Sequence, residues 1–293
     1  MKQLSSFTLE VAEIVFCISS DFPFDGSNFG KVYDDFLSEK KANVCIHVQR
    51  NAVPSLNIKK GKLVLDSGKT WSVYESQQKY IFTFKSPALG QIPYSVAVFT
   101  PTFHRGKVYI RPVTSQDKLL PNPMLYPLFE LLMINLLWRR YGLMFHGCGI
   151  NSSGCGYLFL GNSAHGKSTT ARLWAEDRGT VLNDDRIVVR EKGRKFWMYG
   201  TPWHGDFTKV SSQRIPIHKI FFLRHGKENS AVPREGIKAV SLLLTRCFPP
   251  IWDKKGMSFT VDFCRRLVEK VPCYELDFVP DEKVVDFVKG VRS

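Results

Sequence analysis

Gly-Asn-Ser-Ala-His-Gly-Lys-Ser, at residues 161–168, matches the phosphate-binding loop (Walker A) pattern of Gly, four residues and Gly-Lys-Ser. In such a loop, consecutive backbone N–H groups and a helix N-terminus surround the phosphates, while the lysine ammonium reaches the β and γ groups. The serine hydroxyl is placed to ligate magnesium. The predicted nucleotide-binding residues are Gly161, Asn162, Ser163, Ala164, His165, Gly166, Lys167, Ser168 and Thr169.

The residues on both sides of this loop provide the context that the motif needs. Residues 155–160 form a short apolar run that predicts a buried strand. Residues 168–176 predict a helix with its apolar residues on one side. A strand, a glycine-rich loop and a helix start therefore follow one another, and the sequence predicts that this loop binds a nucleoside triphosphate.

The composition is that of an ordinary globular protein with an excess of positive charge. The chain has 293 residues, of which 44% are hydrophobic and 23% charged, and a formal net charge of +14. Such a charge favours polyanionic partners, but the basic residues are scattered, so nucleic acid is not an expected partner. The sequence has no recognisable signal peptide and no apolar stretch long enough to span a bilayer, so we expect a cytoplasmic protein with no membrane association.

Two domains are predicted, because the length exceeds the roughly 100–200 residues typical of one domain. Residues 1–118 are rich in short β-branched and aromatic runs, which predict an antiparallel sheet with one solvated face in a recognition or assembly domain. Residues 119–293 form the predicted nucleotide-binding catalytic domain, which begins with an apolar helix at 126–138. Further helices are predicted at 237–247, 257–271 and 281–291, with a strand at 274–278.

The cysteines show neither a Cys-x-x-Cys pair nor a regular spacing with histidine. This pattern argues against a disulfide framework or a zinc ribbon and predicts reduced thiols. Cys148 and Cys155 flank a predicted hairpin close to the loop, which leaves a redox effect at that place open. The seven cysteines are Cys17, Cys45, Cys148, Cys155, Cys247, Cys264 and Cys273.

Phosphoryl transfer also needs a metal-binding carboxylate and a group that accepts the proton of the nucleophile. Asp184 and Asp185 stand at the end of a predicted strand downstream of the loop. Adjacent strand residues point to opposite sides, so we expect one acid to bind magnesium and the other to accept the proton. His146, on the strand before the hairpin, is either a core residue or a group that faces the γ-phosphate. His165 is expected to point outward, because the loop acts through its backbone.

Three segments in the same order resemble the catalytic domain of HPr kinase/phosphorylase: His146-Gly147, residues 161–168, and Asp184-Asp185-Arg186. That bacterial family phosphorylates a seryl hydroxyl and is related to phosphoenolpyruvate carboxykinases. The resemblance covers roughly residues 120–225. It implies an α/β (α+β) phosphoenolpyruvate carboxykinase-like P-loop kinase core with a mixed β-sheet, preceded by the β-rich N-terminal domain.

The resemblance also implies roles for individual residues. His146, Lys167 and Asp185 correspond to residues that are catalytic in the family, with Asp185 as the proton acceptor. Ser168 corresponds to a magnesium ligand, and Asp184 would bind the metal indirectly or assist Asp185.

The sequence departs from the family in several places. Ala164-His165 stand where the family usually has a glycine and a small residue. The family's glutamate metal ligand and its phosphorylase-associated loop have no clear match. Residues 200–206, Gly-Thr-Pro-Trp-His-Gly-Asp, take the glutamate's place and are more similar to divergent HPr-kinase-like proteins found beside peptide-modification gene clusters. His204 and Asp206 are candidate metal or substrate groups, or part of a structural turn, and Arg246 is a candidate substrate contact or a surface salt bridge.

Together these features predict an ATP- and Mg²⁺-dependent kinase that transfers the γ-phosphoryl group to a hydroxyl. The expected acceptor is a serine of a protein or peptide, as in a peptide-modification pathway. Two alternatives stay open: a kinase of a small hydroxylated metabolite, and a nucleotide-binding regulatory protein without turnover. The set of His146, Lys167 and Asp185 argues against the last alternative, and the missing glutamate argues for it. A homo-oligomer is an expected state, since relatives form oligomers.

Overall fold

The computed structural model describes residues 5–50, 61–68, 70–90, 92–112, 122, 124–140 and 142–292. The chain divides into two compact units, Met1–Leu136 and Leu137–Ser293. The predicted domain boundary at 118/119 lies outside the described residues. Within the described ranges, no helix is both long enough and apolar enough to cross a membrane.

Eight strands form one sheet in the first unit: β1 (Ser5–Val11), β2 (Ile14–Ser20), β3 (Val44–Arg50), β4 (Lys62–Asp66), β5 (Trp71–Ser76), β6 (Lys79–Phe84), β7 (Ser95–Phe99) and β8 (Arg105–Ile110). Their order is β1-β2-β3-β8-β7-β6-β5-β4. The expectation of an antiparallel sheet is wrong at its centre, where β2 and β8 both run parallel to β3. The long connection at 21–43 is the reason, because it contains two 3-10 turns and returns the chain to the same end of the sheet.

One face of this sheet is covered and carries the core of the first unit. Phe16, Val44 and Ile46 are buried on it and alternate with more exposed residues along β2 and β3. Helix α1 (Leu128–Trp138) contributes Phe129, whose ring packs edge-on to that of Phe16 with a centroid distance of 4.8 Å. Phe129 therefore packs this helix on the sheet that precedes it in the chain.

Within the described residues, the second unit contains eight further strands and four helices. The strands are β9 (Gly142–Ser152), β10 (Cys155–Leu160), β11 (Thr180–Asn183), β12 (Arg186–Lys192), β13 (Lys195–Tyr199), β14 (Arg214–His225), β15 (Ser230–Pro233) and β16 (Cys273–Phe278). The helices are α2 (Lys167–Glu176), α3 (Gly236–Leu244), α4 (Lys254–Lys270) and α5 (Lys283–Gly290). The last three helices and β16 coincide closely with the predicted elements.

The strands of the second unit form a mixed sheet with the order β10-β9-β12-β13-β14-β16-β15. Its two longest strands, β9 and β14, each pair with several neighbours. Strand β9 pairs with β12 through residues 142–146 and with β10 through residues 147–152. Strand β14 pairs with β13 at its start and then runs parallel to both β10 and β16. A side chain at Gly156 would come within 2.2 Å of the Pro216 carbonyl oxygen, so glycine is needed where β10 meets β14.

Helices cover both faces of the sheet around β10 and β14. Leu158 and Phe222 face a cluster with α3 and α4, whereas Phe159 and Phe221 face a cluster with α2 and α5. Trp174 of α2 is 1% exposed and lies 5.9 Å, between ring centroids, from Phe159. Since this packing fixes α2 on the sheet, the loop between β10 and α2 is held at the carboxyl end of β10.

Candidate active site

The predicted phosphate-binding loop joins the end of β10 to the first residue of α2. Gly166 precedes the helix with a φ of 87°, and a side chain on it would meet the Phe278 ring at 2.4 Å. Both observations favour glycine at this position. The imidazole of His165, which was predicted to point outward, lies with Nδ1 3.2 Å from the Leu223 carbonyl oxygen of β14. His225 Nε2 lies 2.9 Å from the Ala164 carbonyl oxygen, so two histidines tie the loop to β14.

The side chain of Lys167 folds back over the loop. Its Nζ donates a hydrogen bond of 2.9 Å to the Asn162 carbonyl oxygen, and the residue is only 7% exposed. Burial lowers the pKa of Lys167, and the nearby carboxylates of Asp185 and Asp184 oppose this effect. A bound anion would replace lost hydration, so the position suits a group that contacts phosphate oxygens.

Asp184 is a buried carboxylate that accepts hydrogen bonds from two different segments. The residue is 1% exposed. Its Oδ2 accepts from Ser168 Oγ at 2.6 Å and from the Phe207 backbone N–H at 3.0 Å. Its Oδ1 accepts from the Gly205 backbone N–H at 2.6 Å. These bonds join the start of α2, the end of β11 and the segment that contains residues 200–206.

Asp185 points to a different set of partners. Its Oδ1 lies 3.0 Å from His146 Nε2, and its Oδ2 accepts from Arg186 at 2.7 Å. A carboxylate can only accept, so His146 donates through Nε2. Burial raises the pKa of Asp185, but the hydrogen bond from His146 and the charges of Arg186 and Lys167 outweigh it and hold the pKa below its usual value. Asp185 is therefore ionised at neutral pH.

Asn183 closes the turn that holds the two acids. Its Oδ1 accepts from the backbone N–H groups of Asp185 at 2.7 Å and Arg186 at 2.8 Å, which closes a turn of the Asx type. Its Nδ2 donates to the Thr201 carbonyl oxygen at 2.8 Å. Asn183 was not among the predicted site residues, although an asparagine directly before an Asp pair at a strand end is a recognisable turn signal.

Residues from all these elements line one cavity of about 330 Å³. His146, Lys167, Ser168, Asp184, Asp185 and Asp206 are among its lining residues. Ser163, Ala164, Gly166 and Thr169 of the loop also face it, whereas Gly161, Asn162 and His165 do not line it. Arg172 and Gly205 line the cavity and were missed, although Arg172 lies one helical turn after Ser168 and hence on the same face of α2.

The candidate residues His204 and Arg246 do not line this cavity either. His204 Nδ1 lies 2.9 Å from the Gly205 carbonyl oxygen, within its own segment. The Arg246 guanidinium donates to the Leu242 carbonyl oxygen at 3.0 Å and to Thr245 Oγ1 at 2.8 Å. Only the backbone of Arg246 approaches the site, since its carbonyl oxygen accepts from the His146 N–H at 2.8 Å.

Metal-binding clusters formed by protein side chains alone are absent from the described ranges. No group of three or more His, Cys, Asp or Glu residues there has the arrangement to hold a metal ion. Ser168 and Asp184 are nevertheless hydroxyl and carboxylate donors, the oxygen ligands that Mg²⁺ accepts together with phosphate oxygens and water.

Comparison with known proteins gives a distant similarity of fold. No protein-family model matches the chain, and no curated protein matches it. Among solved structures, it is similar to the Hpr(Ser) kinase/phosphatase from Coxiella burnetii, with 12% sequence identity and a TM-score of 0.32. The match covers 50% of this chain and 95% of that chain. At this TM-score the similarity carries no argument about activity.

Proposed function

We propose that this chain is an ATP- and Mg²⁺-dependent kinase that transfers the γ-phosphoryl group to a hydroxyl, namely a serine of a protein or peptide. One observation carries the proposal: Asp185, His146 and Lys167 line the same cavity as the glycine-rich loop. A protein that only binds a nucleotide has no use for an ionised carboxylate held by a histidine and an arginine beside the phosphate site. The arrangement therefore supports transfer rather than binding alone.

The loop between β10 and α2 would hold the phosphates of ATP, in a core of the phosphoenolpyruvate carboxykinase-like P-loop type. The left-handed backbone at Gly166 supports this assignment, since it turns the N-terminus of α2 toward the cavity. Lys167 supplies a positive charge at the same edge. Arg172, one turn into α2, adds a second cation to the lining.

Ser168 and Asp184 would hold the magnesium ion. Their side-chain oxygens lie 2.6 Å apart, and both are of the ligand type that this small, hard cation prefers. Mg²⁺ usually takes one or two protein ligands and fills the rest of its octahedron with water and phosphate oxygens. Bound there, it would neutralise charge on the phosphates.

Asp185 would accept the proton of the attacking hydroxyl. The acceptor oxygen forms a bond to the γ-phosphorus, the bond from that phosphorus to the β–γ bridging oxygen breaks, and ADP leaves. Each carboxylate oxygen of Asp185 has a further lone pair beyond those used by His146 and Arg186. His146 would keep the carboxylate in place and add positive character beside the γ-phosphoryl group.

The proposed acceptor is a serine in a peptide-modification pathway. The proposed location is the cytoplasm, and the proposed state is a homo-oligomer. Asp206, which lines the cavity, is exposed to solvent, and an extended peptide or a small metabolite would reach Asp185 from that side. The small-metabolite kinase and the regulatory nucleotide-binding protein are the competing functions.

The purified chain should be incubated with γ-labelled ATP, Mg²⁺ and a lysate of the source organism. The lysate should be passed through a size filter, so that macromolecules and metabolites are tested separately. We expect label in the macromolecular fraction that resists acid and is released by alkali, as a phosphoserine ester is. A parallel reaction with a Lys167→Met variant identifies label that depends on contaminating kinases.

Three results would contradict the proposal. Label confined to the small-molecule fraction would favour a metabolite kinase. Acid-labile label would indicate an acceptor other than a hydroxyl. Nucleotide binding without any label above the Lys167→Met control would favour a regulatory protein.

A further inference from the structure

Strands β2 and β3 place two cysteines side by side, far along the chain from the candidate active site. Cys17 and Cys45 are register partners in this parallel pair of strands. Cys45 is exposed and Cys17 is half-buried, and both are free thiols. Because neighbouring strands lie roughly 4.8 Å apart, the two Cα atoms fall within the ~4.4–6.8 Å range of disulfides.

The two thiols lie on the same, uncovered face of the sheet. Their neighbours Phe16, Ile18, Val44 and Ile46 are buried on the opposite face. The next register pair on the uncovered face shows how closely side chains approach here, since Ser19 Oγ lies 2.9 Å from His47 Nδ1. The paired side chains of Ser19 and His47, next to the cysteine pair on this face, thus meet at hydrogen-bond distance.

An oxidant has access to the pair through a surface cavity of about 530 Å³. Cys17 and Cys45 both line it, together with His47, Lys79 and Arg105. No carboxylate is among the lining residues, and a small neutral oxidant such as a peroxide fits a cavity of this volume.

We propose that Cys17 and Cys45 form a reversible disulfide when the protein meets a peroxide, which makes the sheet of the first unit a redox-responsive element. The inference is independent of the kinase proposal, because neither cysteine lines the candidate active site.

The chemistry needs one peroxide for each disulfide. Burial, and to a lesser extent the neighbouring Cys45, raises the pKa of Cys17, so the exposed Cys45 reacts first. Its sulfur attacks one oxygen of hydrogen peroxide and the O–O bond breaks. The other oxygen leaves as water, and Cys45 becomes a sulfenic acid. The Cys17 sulfur then attacks the Cys45 sulfur, the S–O bond breaks, and the hydroxyl leaves with the Cys17 proton as a second water. Two thiols are oxidised, and one peroxide is reduced by two electrons.

The full-length protein should be treated with hydrogen peroxide, unfolded in the presence of iodoacetamide, and digested with trypsin. Cys17 and Cys45 fall in separate tryptic peptides, 3–31 and 42–50. We expect these two peptides to appear as one cross-linked species that lacks two hydrogens and separates again on treatment with dithiothreitol. Cys155, which is half-buried with Ser152 as its register partner, should stay alkylated.

Variants and the oligomeric state distinguish this disulfide from other products. The Cys17→Ser and Cys45→Ser variants should each lose the cross-linked species, and protein oxidised after unfolding in urea should form much less of it. The proposal is overturned if both cysteines remain singly alkylated, if Cys45 proceeds to sulfinic acid while Cys17 stays free, or if the cross-link joins two chains on a non-reducing gel.

Discussion

The hydroxyl of Ser168 donates a hydrogen bond of 2.6 Å to Oδ2 of Asp184, across sixteen residues of chain. This contact joins the first turn of α2 to the end of β11. It brings the two predicted magnesium ligands together, and the backbone N–H groups of Gly205 and Phe207 complete the set of donors around the carboxylate.

Asp185→Asn should abolish phosphoryl transfer and leave nucleotide binding largely intact. The amide keeps the shape of the carboxylate but cannot take up the proton of the attacking hydroxyl. Removal of a general base typically lowers turnover by about 10²–10⁴-fold. Turnover and the ATP-induced rise in melting temperature should be measured on the same preparation. Asp177→Asn is the matched control, since Asp177 pairs with Lys289 and does not line the cavity. Turnover in Asp185→Asn equal to that of the control would remove the proton-acceptor role.

Lys167→Met should lose the stabilisation that ATP confers while the nucleotide-free protein stays at least as stable as the wild type. The second expectation follows from the lowered pKa of Lys167, because burial already disfavours its charge. In the wild type, ATP at a hundredfold excess over Kd should stabilise the fold by about 2.7 kcal/mol. Urea unfolding with and without Mg-ATP measures both quantities. The exposed Lys195→Met provides the control, and an unchanged ATP effect in Lys167→Met would show that this ammonium does not bind phosphate.

Gly205→Ala should destabilise the candidate site through Asp184. A side-chain carbon at this position would lie 3.0 Å from Oδ2 and 3.2 Å from Oδ1 of Asp184, so the carboxylate or the segment must shift. We expect the free energy of unfolding to fall by about 1.5–3 kcal/mol, the contribution of a hydrogen bond to a charged group. Gly290→Ala serves as the control, since an added carbon there meets nothing within 4 Å. Equal stability of the two variants in urea would mean that the Gly205 N–H contributes little.

Glu191→Gln should reduce stability at neutral pH and have little effect in acid. Glu191 accepts from Lys270 Nζ at 2.8 Å and from Arg266 Nε at 3.0 Å. Burial raises the pKa of Glu191, but Lys270 and Arg266 outweigh it, so the folded-state pKa lies below the ordinary value of 4.5. A depressed pKa contributes stability above the unfolded pKa that is lost as the pH falls through the folded pKa.

The difference in unfolding free energy between wild type and Glu191→Gln should therefore be about 1 kcal/mol at pH 7 and shrink below about pH 4.5. Guanidinium chloride would screen the pair, so urea titrations at several pH values are the suitable measurement. Glu228→Gln, at an exposed glutamate with no ion pair among the described residues, should show no such trend. A pH-independent difference would contradict the assignment of the stabilisation to this ion pair.

Local patterns in the sequence were sufficient for several elements. The run at 155–160, the glycines of 161–166 and the apolar spacing after Ser168 predicted a strand, a loop and a helix start, which the structure places at β10, the following loop and α2. These predictions depend on residues that are neighbours in the chain. Opposite orientations of Asp184 and Asp185 were predicted from strand geometry, but both residues follow the end of β11 and line the same cavity, in a turn closed by Asn183.

Those local patterns did not predict contacts between distant segments of the chain. The salt bridge between His146 and Asp185 depends on the register of β9 with β12, in which His146 is paired with Arg186. The parallel centre of the first sheet, the contact of His165 with β14 and the position of the Arg246 side chain away from the cavity likewise follow from long-range packing.

The sequence by itself determined that a glycine-rich loop of the Gly-x4-Gly-Lys-Ser pattern stands between a strand and a helix, with an acidic pair downstream, because each of these features is encoded in contiguous residues. Only the tertiary structure decided which groups face each acid, that residues 205–207 close over Asp184, and that Cys17 lies beside Cys45. The physical reason is that strand register and helix packing are set by burial of the whole core, and no single stretch of the chain specifies them alone.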